Sequence, residues 1–376
     1  MKKRSFSDIL ADISDAGLAR LRRKVPEWAD VPGIELPSQL AAEQCSSAAT
    51  AACKAALVRR ISPACRQLTD LTGGLGVDCY FFSRVCDRVH YNEMDRELAA
   101  ATERNFGRLG VTNVSFSSVE VTPESLAGLV ADGPDVIFLD PARRSGTGRK
   151  VFLLEDCSPD VTALRDGLFA AAPDILIKLS PMADISMVCK RLGDSVREVH
   201  AVGSEGECKE LLIWMQRDWD GGCTTVAEGL RFSAQEEAAA RPRLLPERSA
   251  LAGVLFEPAA TLLKAGCFNL LCDRLGLAKL GRFTHLYVAD APDESLKAYG
   301  KLFRIKEVLP FNGRSAKELG RALPRCSVTA RNLPVSSDEL TKRMGVTPGG
   351  DAHIFAFTAD FSDAPSERLM AVTERI

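Results

Sequence analysis

The sequence predicts an α/β protein: a doubly wound parallel sheet, with N-terminal helices before it and small C-terminal α+β units after it. Three observations carry this. Between about residues 66 and 220, short apolar strands alternate with helical segments, as in sheets built from strand–helix–strand crossovers. Several of those strands end in an acidic residue, at the edge where such sheets bind ligands. Around 220 to 250 the composition changes: Gly221-Gly222, a Glu/Ala run and Arg241-Pro242-Arg243-Leu244-Leu245-Pro246 read as a linker or irregular connection.

Residues 1–65 read as helices. Phe6, Ile9, Leu10, Ile13, Leu18 and Leu21 recur at helical spacing. Trp28 to Pro37 is a proline-broken connector, and Ser38 is placed to cap an Ala-rich helix through Arg60. That helix carries Gln44, Ser47 and Lys54 on one face, which reads either as a solvated or packing face or as a lid over a ligand mouth. Residues 66–222 form the sheet domain. Its strands are expected at 67–71, 90–92, 114–116, 136–139, 175–179 and 211–215, with helices at 77–83, 98–109 and about 184–192. Residues 223–305 read as the linker and a first small unit, with a helix over 259–271 and strands at 285–288 and 302–305. Residues 306–376 read as a second small unit, with strands at 306–309, 326–330 and 353–358 and helices near 316–322 and 337–344.

With 46% hydrophobic and 26% charged residues, the chain has the balance of a soluble globular protein. A net charge of -2 advertises no broad basic field for sequence-blind nucleic-acid binding, although a local basic face is compatible with it. Twelve cysteines form no CxxC pair. Seven of them (Cys45, Cys53, Cys65, Cys79, Cys157, Cys189, Cys208) sit among small or apolar neighbours and read as buried thiols in a reducing compartment. Four histidines lie far apart, so no metal site is proposed. The basic N-terminus lacks the apolar core of a signal peptide, and no run approaches the ~18 apolar residues of a membrane span. The expected location is cytoplasmic.

The chemistry centres on Leu68-Thr69-Asp70-Leu71-Thr72-Gly73-Gly74-Leu75-Gly76-Val77-Asp78, a strand ending in an acid, then a glycine-rich bend, then a helix. Glycines let backbone approach a ligand closely. The two carboxylates, Asp70 and Asp78, repel a bare phosphate and tolerate a cation or an amino group. Glu93 follows the second strand, seventeen residues after Gly76, where a carboxylate can take both hydroxyls of a ribose. A dinucleotide-binding bend needs a third glycine three residues after its second, and here that position is Cys79. Adenosine carrying a zwitterionic amino acid suits the bend better than adenosine carrying a pyrophosphate.

As a set, Asp70-x-x-x-Gly74-x-Gly76, Glu93 and Asp140-Pro141 resemble motifs I, II and IV of the class I S-adenosylmethionine-dependent methyltransferases. The resemblance covers about residues 66–220 and implies their Rossmann-like sheet and their cofactor, S-adenosyl-L-methionine. It implies that Asp70, Thr72, Gly73, Gly74, Gly76 and Asp78 lie against the methionine part. Glu93 with Met94 would lie at the ribose, and Ser118-Val119 beside the adenine. The layout of the whole chain is similar to an uncharacterised bacterial methyltransferase group with a ferredoxin-like unit and a C-terminal THUMP-like domain. The lines that prompt this are Leu255-Phe256-Glu257-Pro258, Leu263-Lys264-Ala265-Gly266 and Thr329-Ala330-Arg331-Asn332. THUMP domains are associated with RNA, mainly tRNA.

Asp140-Pro141-Ala142-Arg143 resembles the Asp/Asn-Pro-Pro-x motif of methyltransferases that modify nitrogen in nucleic-acid bases or protein amides. A carboxylate and the Pro141 carbonyl can align a planar amine for in-line attack. The sequence departs from the motif at Ala142 and lacks the aromatic residue after it, which would stack on a flipped base. Carbon-5 methylation of a pyrimidine would want a cysteine near this loop, and the nearest downstream is Cys157. Arg143, Arg144, Arg149 and Lys150 form a basic run, read either as a solvated loop or as phosphate contacts to RNA. Lys178, on an apolar strand, needs a partner. Asp140 can supply it, in a structural ion pair or in an active site.

The reading that results is an S-adenosylmethionine-dependent methyltransferase acting on RNA (tRNA or rRNA) at a base nitrogen, by direct in-line transfer and without a metal. A protein or small-molecule methyltransferase, a non-catalytic RNA-binding protein with a vestigial cofactor fold, and a nicotinamide-dependent dehydrogenase are the alternatives. Cys79 disfavours the last.

Overall fold

The structure, a computed structural model, describes residues 16–143 and 154–376. It divides into two compact units, Met1–Thr225 and Val226–Ile376. None of the described helices is long and apolar enough to cross a membrane.

The first unit opens with helical residues 16–24, a turn at Pro26–Trp28, and the helices α1 (Gln39–Gln44) and α2 (Ala48–Ile61). The sequence predicts one helix here and the chain makes two. Ser38 caps α1 by accepting the Ala41 N–H at 3.1 Å. Cys45 is then extended (ψ 151°), and Ser47 caps α2 by accepting the Thr50 N–H at 3.2 Å. Serine hydroxyls offer the backbone this alternative to a continuous helix.

The strands are β1 (Gln67–Asp70), β2 (Arg88–Asn92), β3 (Val114–Ser117), β4 (Val136–Leu139), β5 (Asp174–Leu179), β6 (Val196–Ser204) and β7 (Glu207–Gln216). They lie in the order β3-β2-β1-β4-β5-β7-β6. The first five run parallel, and β7 runs antiparallel to β5 and β6. This is a Rossmann-like doubly wound sheet of the methyltransferase type. Its connecting helices are α3 (Val77–Phe82), α4 (Arg96–Arg108), α5 (Pro123–Leu129), α6 (Val161–Ala171) and α7 (Ile185–Leu192). The chain reverses its direction of growth between β1 and β4, which opens a crevice at their carboxyl ends. β1 and β4 are buried at every position. Leu68, Tyr91, Val136, Phe138 and Leu176 join one core with Trp28, Ala51 and Val58 from the N-terminal helices.

Sequence reading omits β6 because part of its buried side is polar. Glu198, 2% exposed, is paired with Arg60 and with His200 Nε2. The stretch expected to be an irregular linker contains strands Thr224–Ala227 and Leu230–Ser233 and the helix α8 (Ala234–Ala239), which a Ser233/Glu236 capping box starts.

The second unit contains β8 (Val254–Pro258), β9 (Ala278–Lys279), β10 (Tyr287–Ala289), β11 (Gly300–Pro310), β12 (Ser327–Arg331), β13 (Ala352–Ala359) and β14 (Glu367–Arg375). They form one sheet, β9-β10-β8-β11-β14-β13-β12. The helix expected over 259–271 is two, α9 (Ala260–Ala265) and α10 (Leu270–Leu275), separated at left-handed Gly266. α11 (Gly313–Ala322) and α12 (Ser337–Met344) complete the unit. β11 runs unbroken across the expected boundary at 305/306. A bulge between Ile305 and Glu307 shifts its alternation, which is why the sequence reads as two strands. β14, unread in the sequence, pairs with both β11 and β13 although charged residues crowd its two ends.

The β5–β7 junction is fastened by a buried polar contact. Asp174 accepts the Trp214 indole N–H at 2.7 Å and the Gln216 amide at 3.3 Å. Asp174→Ala orphans the indole donor, so it is expected to cost about 1–3 kcal/mol in urea unfolding. Asp174→Asn keeps an acceptor and is expected to cost less.

Candidate functional site

The carboxyl ends of β1, β2 and β4 open onto a cleft of about 610 Å³ in the first unit. One strand builds its floor. β1 ends at Asp70, and the chain turns at once because the Thr72 N–H bonds back to Asp70 Oδ1 at 3.1 Å. The bend is then stitched to β2: the Gly73 N–H donates to the Asn92 carbonyl at 2.7 Å, and the Gly74 N–H donates to Glu93 Oε2 at 2.9 Å. Glu93 Oε1 accepts the Asp95 N–H at 2.9 Å.

Gly73 and Gly74 have different jobs. A Cβ on Gly73 would lie 2.1 Å from the ring of Tyr91, a fully buried side chain whose hydroxyl donates to the Gly74 carbonyl. Close packing demands that glycine. Gly74 adopts φ +54°, and a Cβ there would meet nothing within 4 Å. Its backbone is bare toward open space, where a ligand can come close.

Asp70 is 1% exposed. Its Oδ2 is buried and has no hydrogen-bond partner among the described residues. Burial is the main influence, pushing this carboxyl well above its ordinary range. The Thr72 N–H opposes that, and Asp78, Asp140 and Glu93 add repulsion. A cationic donor in the cleft would complete it.

On the other wall Asp140 follows β4, and its N–H donates to Thr72 Oγ1 at 2.6 Å, tying the two loops together. Its carboxylate pairs with Lys178 of β5. Burial alone would lower the Lys178 value, but attraction from Asp140, Asp78 and Glu210 outweighs it and the ammonium is held charged. Asp140, Ala142 and Lys178 line the cleft. Pro141 is buried in the loop. Arg144, Arg149 and Lys150 lie outside the described residues, as does the side chain of Arg143.

The rim is apolar. Met94 is 60% exposed and Val119 40% exposed, and both line the cleft with Leu98 and Val121. Exposed apolar side chains at a cleft suit a flat ring more than they suit water. Ser118 does not line the cleft: its Oγ is buried and, among the described residues, without a hydrogen-bond partner, whereas Val119, Glu120 and Val121 face the opening. An acidic floor with an orphaned oxygen, a bare glycine backbone, a carboxylate at Glu93 and an apolar rim fit an adenosyl sulfonium amino acid.

The site has contributors beyond the residues that the sequence motifs mark. Asn92, fully buried, donates to the carbonyls of Leu71 and Val119 and accepts from the Val119 N–H and the Ser117 hydroxyl, locking three strand ends. Its position just before Glu93 was the available signal. Lys54 is not on a solvated face. It is fully buried, with Ser46 Oγ at 3.1 Å, Glu210 Oε1 at 2.5 Å and Asp78 Oδ1 at 3.2 Å. Ser46 in turn donates to Asp78 Oδ2 at 2.8 Å. Ser38, Leu40, Ala41, Gln44, Cys45 and Ser46 line the cleft, so the N-terminal segment does wall the mouth. Ser47 serves as the α2 cap. Cys157 pairs through a two-stranded ribbon with Arg143, is buried, and does not line the cleft. Cys53 is exposed, since it lies on the outer side of α2.

The state of Asp70 has a consequence for stability. Its folded value lies above its unfolded one near 3.8, so the folded protein holds that proton more tightly. Ionised Asp70 therefore subtracts stability as pH rises from about 4 through the raised value, and keeps it subtracted above. In the cofactor-free protein, Asp70→Asn is expected to add about 1–3 kcal/mol near pH 7. The gain disappears near pH 4, as melting temperature against pH will show.

Residues 255–296 match a family described as a ferredoxin-like domain, and residues 300–375 one described as THUMP domain-like. A crystal structure from Porphyromonas gingivalis W83, provisionally designated a methyltransferase, is similar over 100% of this chain and 92% of its own. The identity is 28% and the TM-score 0.83. A provisionally designated methyltransferase from Streptococcus mutans, in complex with S-adenosylhomocysteine, matches 43% of this chain and 96% of its own at 12% identity and TM-score 0.32. An rRNA methylase from Streptococcus thermophilus matches 44% and 93% at 11% identity and TM-score 0.33. No curated protein matches the chain. The chain thus joins a methyltransferase-fold domain to a ferredoxin-like domain and a THUMP-like domain.

Proposed function

We propose that this protein is an S-adenosylmethionine-dependent methyltransferase that acts on RNA, tRNA or rRNA, at a base nitrogen. The observation that carries the cofactor reading is the orphaned Asp70 Oδ2 at the floor of the cleft, which needs a cationic donor. The cofactor, when bound, supplies a methyl group activated by its sulfonium centre. Asp70 would accept from its ammonium group. The bare Gly74 backbone leaves room for the amino-acid part, with Asp78 on the same side. The Glu93 carboxylate retains lone pairs for the ribose hydroxyls. Met94 and Val119 would cover the adenine.

Asp140 stands at the acceptor side. Its carboxylate, kept in place by Lys178 and by the Thr72–Asp140 backbone bond, would accept from an incoming amine and orient its lone pair. It would also favour positive charge as that develops on nitrogen. The substrate class rests on the THUMP-like domain at residues 300–375.

Transfer of labelled methyl from S-adenosylmethionine into total RNA, with a protein extract and a small-molecule extract in parallel, tests the substrate class. Label in RNA is expected; label in either of the other pools alone would replace RNA with that class. Asp140→Ala is expected to slow transfer by about 10²-fold or more with cofactor affinity within about threefold of the parent. An unchanged rate would remove Asp140 from the chemistry.

A further inference from the structure

Behind the Asp140–Lys178 pair lies a second buried cation that the proposed chemistry does not use. Lys54, on α2, has no exposed surface. Three oxygens from three separate elements surround its ammonium: Ser46 in the α1–α2 break, Asp78 in the first turn of α3, and Glu210 on β7. The Asp78 contact is an ion pair without hydrogen-bond geometry, and the other Asp78 oxygen is occupied by the Ser46 hydroxyl. Ser46 therefore accepts from Lys54 and donates to Asp78, so its direction is fixed. Glu210 is pushed up by burial and pulled back by Lys54. Without Lys54, the buried carboxylates of Asp78 and Glu210 would repel each other and share the attraction of Lys178, which already pairs with Asp140.

We infer that Lys54 is a positioning residue for the cleft. Through Ser46 and Asp78 it pins the segment Gln44-Cys45-Ser46 as the wall against which the amino-acid end of the cofactor rests. This rests on the cofactor reading above. Ser46, Cys45 and Asp78 all line the cleft, whereas Lys54 and Glu210 do not. Lys24 holds the same segment from its other end, its Nζ donating to the carbonyls of Glu43 and Cys45 at 2.7 Å each. The wall is therefore a short extended break held by two lysines; Lys54 ties it to Glu210 of the sheet, and the Ser46 hydroxyl ties it to Asp78 after the glycine bend.

The test uses the full chain and a charge-balanced variant, Lys54→Met/Glu210→Gln, which removes the cation with one of the two carboxylates it neutralises. Ser46→Ala, which deletes only the relaying hydroxyl, is the milder second variant. The first readout needs no cofactor: site-resolved alkylation of Cys45, with the exposed Cys53 on α2 as internal reference. Cys45 is expected to react at least about fivefold faster in both variants while Cys53 is unchanged. The second is calorimetric affinity for S-adenosylmethionine, expected to fall at least about tenfold in both. An unchanged Cys45 rate overturns the anchoring whatever the cofactor. Faster Cys45 with unchanged affinity overturns the role of Lys54 in the cleft. Faster Cys45 in the variants together with a parent protein that binds no S-adenosylmethionine overturns the cofactor reading instead.

Discussion

A carboxylate buried at the end of β1 sets the terms for the first unit. Asp70 has one oxygen bonded to its own turn and one without a partner among the described residues. Burying an ionised group with an unmet oxygen is costly. The surrounding structure is arranged so that this cost is borne. The Asp70–Thr72 turn directs the chain into the glycine bend, Thr72 reaches across to the Asp140 N–H, and Gly74 is held by Glu93. These loops form the crevice where the order of strands reverses. Local strain of this kind at a functional site is offset by packing elsewhere, here by the apolar core shared by the sheet and the N-terminal helices.

Charge is distributed around this point in alternation. Asp140 pairs with Lys178, Lys178 feels Asp78 and Glu210, and both of these face Lys54. Lys178 feels Asp140 first and then Asp78 and Glu210, which is why it stays charged despite its burial. Breaking a buried pair by removing one partner is far more damaging than replacing both. The row therefore couples the N-terminal helices, the glycine bend and the antiparallel end of the sheet.

Much of the fold is legible in the residues, and the gaps have physical causes. Fully buried parallel strands appear as short apolar runs, so Leu68, Val136 to Leu139 and Ile175 to Leu179 announce themselves. β6 does not, because Glu198 takes a core position by pairing with Arg60. β11 reads as two strands because a bulge interrupts its period. The acids and glycines at the strand ends stand out by spacing. Lys54 cannot be found that way: its α2 helix is Ala-rich and weakly patterned, and its partner Glu210 is 156 residues away. Ser118 shows the opposite failure, since counting along the chain puts it at the cleft while its side chain turns inward. Spacing gives position along a strand, but the direction of a loop side chain depends on contacts that sequence order does not show.

The central claim is that the cleft is shaped for a cationic adenosyl amino acid. Titration calorimetry of the purified chain with S-adenosylmethionine, and separately with NAD, addresses it most directly. The account predicts saturable binding of S-adenosylmethionine that weakens by about tenfold or more in Asp70→Asn, and no heat with NAD. Binding of NAD without S-adenosylmethionine, or binding of S-adenosylmethionine that Asp70→Asn leaves unchanged, would contradict it.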